Sequence, residues 1–116
     1  MALAAGPSVP TTLYAATMDQ GLLRSGDGGE SWQPVTQLSV MSMSGIYVHP
    51  VSGNVYTAGQ QGISQSADGG QSWTTIGPNV PMALVAADAE AEALLVAVSQ
   101  QGQVYRSDDS GETWIK

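Results

Sequence analysis

One eight-residue segment recurs three times along this 116-residue chain and constrains the fold more than any other feature. The copies are SGDGGESW (25–32), SADGGQSW (66–73) and SDDSGETW (107–114). Their closing tryptophans are spaced by 41 residues in both intervals. An internal period of this length is typical of repeat architectures such as propellers, in which each period forms one supersecondary unit.

Four positions of the segment are identical in all three copies: a serine, an aspartate two residues later, a glycine two residues further on, and the tryptophan. These residues are Ser25, Asp27, Gly29 and Trp32; Ser66, Asp68, Gly70 and Trp73; and Ser107, Asp109, Gly111 and Trp114. A short carboxylate can accept the N–H groups that a chain reversal leaves unpaired. Glycine supplies positive φ, and the tryptophan ring can clamp the turn by burial. The pattern therefore predicts a structural turn between two strands.

The similarity extends to the residues that flank each turn. TTLYAATMDQGLLRSGDGGESWQPV (11–35), GNVYTAGQQGISQSADGGQSWTTI (53–76) and ALLVAVSQQGQVYRSDDSGETWIK (93–116) align with one another. A further apolar strand precedes each unit, so each repeat has four short strands. We predict an all-β fold of three propeller blades, each a sheet of four antiparallel strands, over about 1–41, 42–81 and 82–116 of a single domain. DAEAEALLVAV (88–98) has helix-forming composition, but the register with the other repeats predicts a turn and then a strand there.

The recurring segment resembles the Asp-box, or bacterial neuraminidase repeat, of sialidases, sortilin-type propellers and a photosystem II assembly factor. The resemblance implies that each box lies on the hairpin between the third and fourth strands of a blade, on the face away from the ligand. It therefore implies a structural role for all twelve box residues.

Three blades are too few to close a propeller, which needs roughly four to eight. We expect two copies to join head to tail into a six-bladed ring, as a homodimer. A nine-bladed trimer, or a piece of a longer propeller, are the alternatives.

The charge balance excludes some classes of partner. Three basic residues face ten acidic ones, for a formal net charge of −7. Because nucleic-acid and anionic-membrane binding depend on lysine and arginine, we expect neither partner. There is no cysteine. The N-terminus shows no secretory signal pattern, which favours the cytoplasm without establishing a location.

The sequence offers little support for catalysis. Sialidase chemistry, the activity that the resemblance suggests first, needs three clustered arginines, a tyrosine–glutamate pair and an acid/base aspartate. Arg24 and Arg106 are the only arginines, at equivalent blade positions. His49 has no partner pattern for nucleophilic chemistry, and the third box lacks calcium-loop spacing. We predict no enzyme activity, no metal and no cofactor.

A candidate ligand face lies opposite the boxes, at the hairpins between second and third strands. Its residues are Asp19, Gln20, Gln60, Gln61, Gln100 and Gln101, with Tyr47 from a first strand. Glutamine both donates and accepts hydrogen bonds, which suits peptide backbone or sugar hydroxyls. The alternative is that glutamine simply tolerates an exposed hairpin. The loops before the first strands carry Met41, Met43, Val80 and Met82, which could line the opening or pack in the core.

These observations favour a non-catalytic scaffold that binds a protein or peptide partner. A glycan-binding or glycosidase-derived module is the first alternative, and a self-assembling propeller unit without a ligand is the second.

Overall fold

The computed structural model shows an all-β chain, and it describes residues 2–5, 12–16, 22–35, 43–60, 62–68, 71–76, 80–88, 90–91 and 93–115. These residues contain no α-helix, and therefore no apolar helix long enough to cross a membrane.

The strands form three antiparallel sheets, each of which keeps the order of the chain. The first sheet consists of β1 (Ala2–Ala5), β2 (Leu13–Ala16), β3 (Leu22–Ser25) and β4 (Gln33–Pro34). The second consists of β5 (Met43–Val48), β6 (Val55–Gly59), β7 (Gly62–Ser66) and β8 (Thr74–Thr75). The third consists of β9 (Met82–Ala87), β10 (Leu95–Ser99) and β11 (Val104–Ser107). We call these sheets blades 1, 2 and 3.

Blade 3 differs from the prediction of four full strands. Its fourth strand is reduced to a single bridge, in which the N–H groups of Arg106 and Ile115 each donate to the other's carbonyl oxygen at 2.7 and 2.9 Å. Within the described residues, β11 pairs with this segment through that one bridge.

The predicted turn and strand over 88–98 are confirmed. Leu94 donates its N–H to the carbonyl of Ala91 at 2.9 Å, and Asp88 donates to the carbonyl of Leu94 at 3.0 Å. The strand β10 begins at the next residue. Register with the neighbouring strands therefore outweighs the local helix propensity, because β10 pairs on both sides, with β9 and with β11.

The blades pack face to face in chain order. The strand β5 lies against β1 and β2 of blade 1, and β9 lies against β5 and β6 of blade 2. All five residues of β6 are buried, because successive side chains alternate between blades 1 and 3. Blades 2 and 3 approach closely at Gly45, where a Cβ atom would lie 2.8 Å from the carbonyl oxygen of Ala83.

Two apolar clusters fill the seams between blades. Tyr14 and Leu22 of blade 1 pack with Val48 and Val55 of blade 2. The larger cluster joins blades 2 and 3 and consists of Tyr56, Ala58, Ile63, Met82, Val85, Ala87, Leu95, Ala97 and Tyr105. Met82, one of the predicted loop methionines, is thus a core residue.

The strand directions give the molecule two distinct ends. The three box turns lie at one end, which we call the box side. The hairpins between β6 and β7 and between β10 and β11 lie at the other end, which we call the hairpin side.

The seam between blades 2 and 3 should carry much of the stability. We expect Leu95→Ala, at a side chain with no exposed surface, to lower the free energy of unfolding by about 2–5 kcal/mol, since the deletion leaves a cavity. Urea denaturation followed by circular dichroism measures the change. Val51→Ala is the control, because Val51 is 75% exposed and its truncation should change stability by less than about 0.5 kcal/mol. Equal effects of the two substitutions would contradict the proposed packing.

Candidate functional site

The aspartate of each box turn accepts hydrogen bonds from both sides of the turn. In box 1, Ser31 donates its N–H to Oδ1 of Asp27 at 2.9 Å and its hydroxyl to Oδ2 at 2.6 Å. The Ser25 hydroxyl donates to Oδ1 at 2.8 Å. The other two boxes repeat this arrangement at Asp68 and Asp109, with Thr113 in place of the second serine in box 3. Each carboxylate therefore ties the two strand ends of its hairpin together.

The first serine of each box is the buried counterpart of the aspartate. Ser25, Ser66 and Ser107 are each only 1% exposed. In boxes 1 and 3 the serine Oγ also accepts the N–H of the box glycine at 2.9 Å, from Gly29 and from Gly111. Both glycines have positive φ, 100° and 94°, which explains the residue type at this position. Gly70 lies outside the described residues.

In blades 2 and 3, the box tryptophan contacts the blade before it. The indole N–H of Trp114 lies 2.7 Å from the carbonyl oxygen of Ile76 in blade 2 and 3.0 Å from that of Gly111. Trp73 packs in the seam with blade 1. Trp32, which has no preceding blade among the described residues, donates to the carbonyl of Gly29 at 3.2 Å and is 38% exposed.

These hydrogen bonds shift the ionisation of the box carboxyls. They lower the pKa of Asp27, Asp68 and Asp109 from 3.8 to about 2. In every box the largest cause of the lowered pKa is the hydroxyl of the residue four positions after the aspartate, and the second is the backbone N–H of that same residue. In box 3 this residue is Thr113. Because the charged form is the better acceptor, the folded turn holds the carboxylate ionised.

His49 has a structural environment. It is 3% exposed, and its Nδ1 accepts the N–H groups of Val51 and Ser52 at 3.2 and 3.3 Å. Its Nε2 lies 3.0 Å from the carbonyl oxygen of Asp88 in blade 3. The ring thus organises the β5–β6 turn and links it to the neighbouring blade. Among the described residues there is no group of acidic or histidine side chains arranged to hold a metal ion.

The hairpin side carries part of the predicted ligand face. Gln60, Gln100 and Gln101 are exposed at the hairpins. Asp19, Gln20 and Gln61 lie outside the described residues, as does Met41. Tyr47 lies apart from these hairpins, near the box end of β5, where its hydroxyl donates to the carbonyl of Ala87 at 3.0 Å.

A cleft of about 160 Å³ opens on the hairpin side of blade 3. Its described lining is Val80, Pro81, Ser99, Gln100, Gln101, Gln103 and Tyr105. We call it the hairpin cleft. Two of its residues, Gln100 and Gln101, belong to the predicted ligand face, and the structure brings them together with an apolar wall from the loop before β9.

Local hydrogen bonds hold the walls of the hairpin cleft in place. Gln100 donates its N–H to the carbonyl of Pro81 at 3.1 Å, which joins the hairpin to the preceding loop. The Ser99 hydroxyl oxygen accepts the N–H groups of Gln101 and Gln103 at 3.3 and 3.0 Å. The Tyr105 hydroxyl donates to Oε1 of Gln103 at 3.1 Å. The floor is therefore fixed, whereas Gln101 is exposed at the rim.

The described lining of this cleft carries no ionised side chain at neutral pH. Its polar groups are amides and hydroxyls, which both donate and accept hydrogen bonds. Sequence reasoning missed Ser99, Gln103 and Tyr105. Gln103 directly follows the hairpin glycine, so the spacing of Gln100 and Gln103 around that glycine could have indicated that Gln103 lies at the same hairpin. The position of Tyr105 against Val80, in contrast, depends on how the fold packs.

Comparison with known proteins places the chain among propellers. Residues 10–116 match the family model of photosynthesis system II assembly factor YCF48. A search of curated proteins finds no match.

Solved structures similar to this chain include a YCF48 bound to D1 peptide, at 20% identity and a TM-score of 0.76, covering 98% of this chain and 39% of that one. The GH74 xyloglucanase from Xanthomonas campestris matches at 20% identity and a TM-score of 0.76, covering 98% of this chain and 22% of that one. An ancestral GH74 enzyme matches at 21% identity and a TM-score of 0.76, covering 90% and 16%. The chain therefore spans less than two fifths of the length of these structures and shares their β-propeller fold.

The box carboxylates should make stability depend on acid pH. Their folded pKa of about 2 lies below the unfolded value of 3.8, so their stabilisation is present above pH 4 and is lost as the pH falls from 4 towards 2. We expect the urea midpoint to fall over this window. Asp109→Asn should lower the midpoint at pH 7 and make the acid decline shallower.

Asp108→Asn is the matched control for that experiment. Asp108 is the adjacent residue, and its exposed carboxylate bonds the Arg106 guanidinium at 3.1 Å instead of the turn. The Asp108→Asn substitution should leave the urea midpoint at pH 7 nearly unchanged. If the urea midpoint of Asp109→Asn falls with decreasing pH as steeply as that of the parent chain, the box carboxylate is not the cause of the acid dependence.

Proposed function

The chain belongs to the YCF48 family of photosynthesis system II assembly factors, and we propose that it is a non-catalytic Asp-box propeller scaffold that binds a protein or peptide partner. The binding site in this proposal is the hairpin cleft of blade 3. The box side serves the fold, because its carboxylates and serines are already engaged within their own turns.

The hairpin cleft is the observation that carries this proposal. At about 160 Å³ it has room for about five water molecules, or one side chain of medium size. Pockets for whole small molecules are larger, roughly 300–1,000 Å³. The cleft therefore suits one residue of a longer chain, with its apolar part against Val80, Pro81 and Tyr105 and its backbone amides within reach of the glutamines.

The structural neighbour that holds a D1 peptide supports the same class of ligand. It shares the fold of this chain, and its ligand is a peptide. The uncharged lining of the hairpin cleft favours a neutral residue at this position, since a buried charge without a partner would be costly.

The proposal includes assembly of copies into a closed ring. We take the blades as about 1–41, 42–81 and 82–116, three per chain, and propose that two copies form six blades head to tail. Three sheets are too few to surround an axis. A homodimer is therefore the assembly that we propose, and a trimer of nine blades is the alternative.

The glycan-binding or glycosidase-derived alternative rests on the GH74 neighbours. Glycoside hydrolysis generally needs two carboxylates about 5–9.5 Å apart at the scissile bond. No carboxylate contributes to the described lining of the hairpin cleft. This arrangement supports binding over catalysis, and it leaves xyloglucan as a useful comparison ligand.

Fluorescence anisotropy with labelled D1 peptide, and an array of short neutral peptides that includes it, test the proposal. We expect peptide binding that Gln101→Ala weakens about fivefold, the cost of one hydrogen bond to a neutral group. Gln71→Ala is the matched control, since Gln71 is an exposed glutamine on the box side, and it should not change the affinity.

Three results would count against the scaffold proposal. Binding to xyloglucan oligosaccharides without binding to any peptide would favour the glycan alternative. Equal loss in Gln101→Ala and Gln71→Ala would remove the site from the hairpin cleft. Absence of binding to peptides and oligosaccharides alike would favour a self-assembling propeller without a ligand.

A further inference from the structure

The exposed large apolar side chains of the described residues are concentrated on two surfaces. They are Trp32, Val51, Leu84, Val96, Val104 and Ile115. Four of the six lie on the outward face of blade 3, and Trp32 lies on the outward face of blade 1. Val51, in the β5–β6 turn, is the exception.

The outward face of blade 3 is largely apolar, with Arg106 between Val96 and Ile115. Val104 pairs with Val98, which pairs with Leu84 on its other side. Val96 pairs with Arg106, which bridges to Ile115. Leu84, Val96, Val104 and Ile115 are 59%, 41%, 55% and 64% exposed. A largely apolar face of this kind marks an interaction surface in soluble proteins.

The equivalent face of blade 2 is completely covered. By strand register, Val96 and Val104 correspond to Tyr56 and Ile63, which are 1% and 0% exposed, because Val96 and Tyr56 each pair with the residue before the box serine. Blade 3 covers these side chains with Val85, Leu95 and Tyr105. The surface that covers a blade is therefore the opposite face of the next blade.

Blade 1 presents this covering face outward. Leu13 and Leu23 stand where Leu95 and Tyr105 stand in blade 3, and both are partly exposed. Trp32 stands where Trp114 donates to the carbonyl of the preceding blade, and it is 38% exposed. Blade 1 thus carries the apolar side chains and the tryptophan with which a blade fastens to its predecessor.

We propose that the outward face of blade 1 in one copy of this chain covers the outward face of blade 3 in a second copy. The inference rests on the ring assembly proposed above and names its interface. Trp32 becomes buried in this interface, against the end of the partner's blade 3. We call the outward face of blade 3 the acceptor face. Its Arg106 is already paired with Asp108 at 3.1 Å, so the contact does not bury an unpaired arginine.

Light scattering coupled to size exclusion tests this interface, with Val104→Asp as the disrupting variant. Val104 is the suitable position because it opposes Val98, whereas an aspartate at Val96 would face Arg106. We expect the mass of two chains for the parent and of one chain for Val104→Asp. A carboxylate in an apolar interface should raise the dissociation constant at least about a hundredfold.

Val51→Asp is the matched control, because it introduces the same charge at an exposed valine outside both faces. It should keep the mass of two chains. Since each copy carries a net charge of −7, moderate salt is needed to screen repulsion between copies. Circular dichroism of both variants establishes that they remain folded.

Tryptophan fluorescence gives a second readout that does not depend on a disrupting charge. Emission should move to shorter wavelength as the concentration rises through the dissociation constant, and Trp32→Phe should abolish that movement. A movement that persists in Trp32→Phe would overturn the burial of Trp32.

The possible masses separate this inference from the ring and from peptide binding. One chain for the parent overturns both the ring and the interface, and it would leave the acceptor face to a further blade of a longer polypeptide. Two chains for both the parent and Val104→Asp overturn the interface alone. Three chains that dissociate in Val104→Asp support the same pairing of faces in a nine-bladed ring. Peptide binding, measured on the same samples, tests the hairpin cleft separately.

Discussion

The fold depends on a carboxylate that is held at each box turn. Asp27, Asp68 and Asp109 each collect a backbone N–H and two hydroxyls from both sides of the turn. A hairpin that reverses between two short strands has few ladder hydrogen bonds of its own, and β4 and β8 contain only two residues each. The carboxylate supplies the missing partners, so a fourth strand can be very short and still be placed.

The boxes also set how blades are joined, because the tryptophan reaches across the seam. Trp114 bonds the carbonyl of Ile76, and Ile76 packs so closely on Gly111 that a Cβ there would lie 2.9 Å from its side chain. The same motif thus makes a turn and a junction. The box side is thereby engaged in packing within the chain, and the hairpin cleft, where we propose peptide binding, lies at the other end.

The sequence predicts the repeat, the sheets and the roles of the box residues because each is encoded locally. The 41-residue spacing identifies equivalent strands, and it overrides the helical composition of 88–98. The hairpin cleft could be predicted only in part. Gln100 and Gln101 follow from the hairpin pattern and Tyr105 lies on the next strand of the same hairpin, but Val80 meets them only through packing of the loop before β9. Tyr47 illustrates the same limit, since its side chain is directed to Ala87 by the seam.

A stack of like blades has an inherent polarity that a single sheet lacks. In this chain each blade has a covering face, which carries the box tryptophan and the side chains on the same side of the sheet as Leu95. The opposite side of each sheet is its acceptor face, which carries the side chains at the position of Val96 and its neighbours on that side. Because each junction consumes one face of each kind, any open stack ends with one unused face of each kind, whatever its number of blades. Those two faces have the residue types that meet in a covered seam, so the repeat that builds the seams also supplies the two faces that the proposed ring would join.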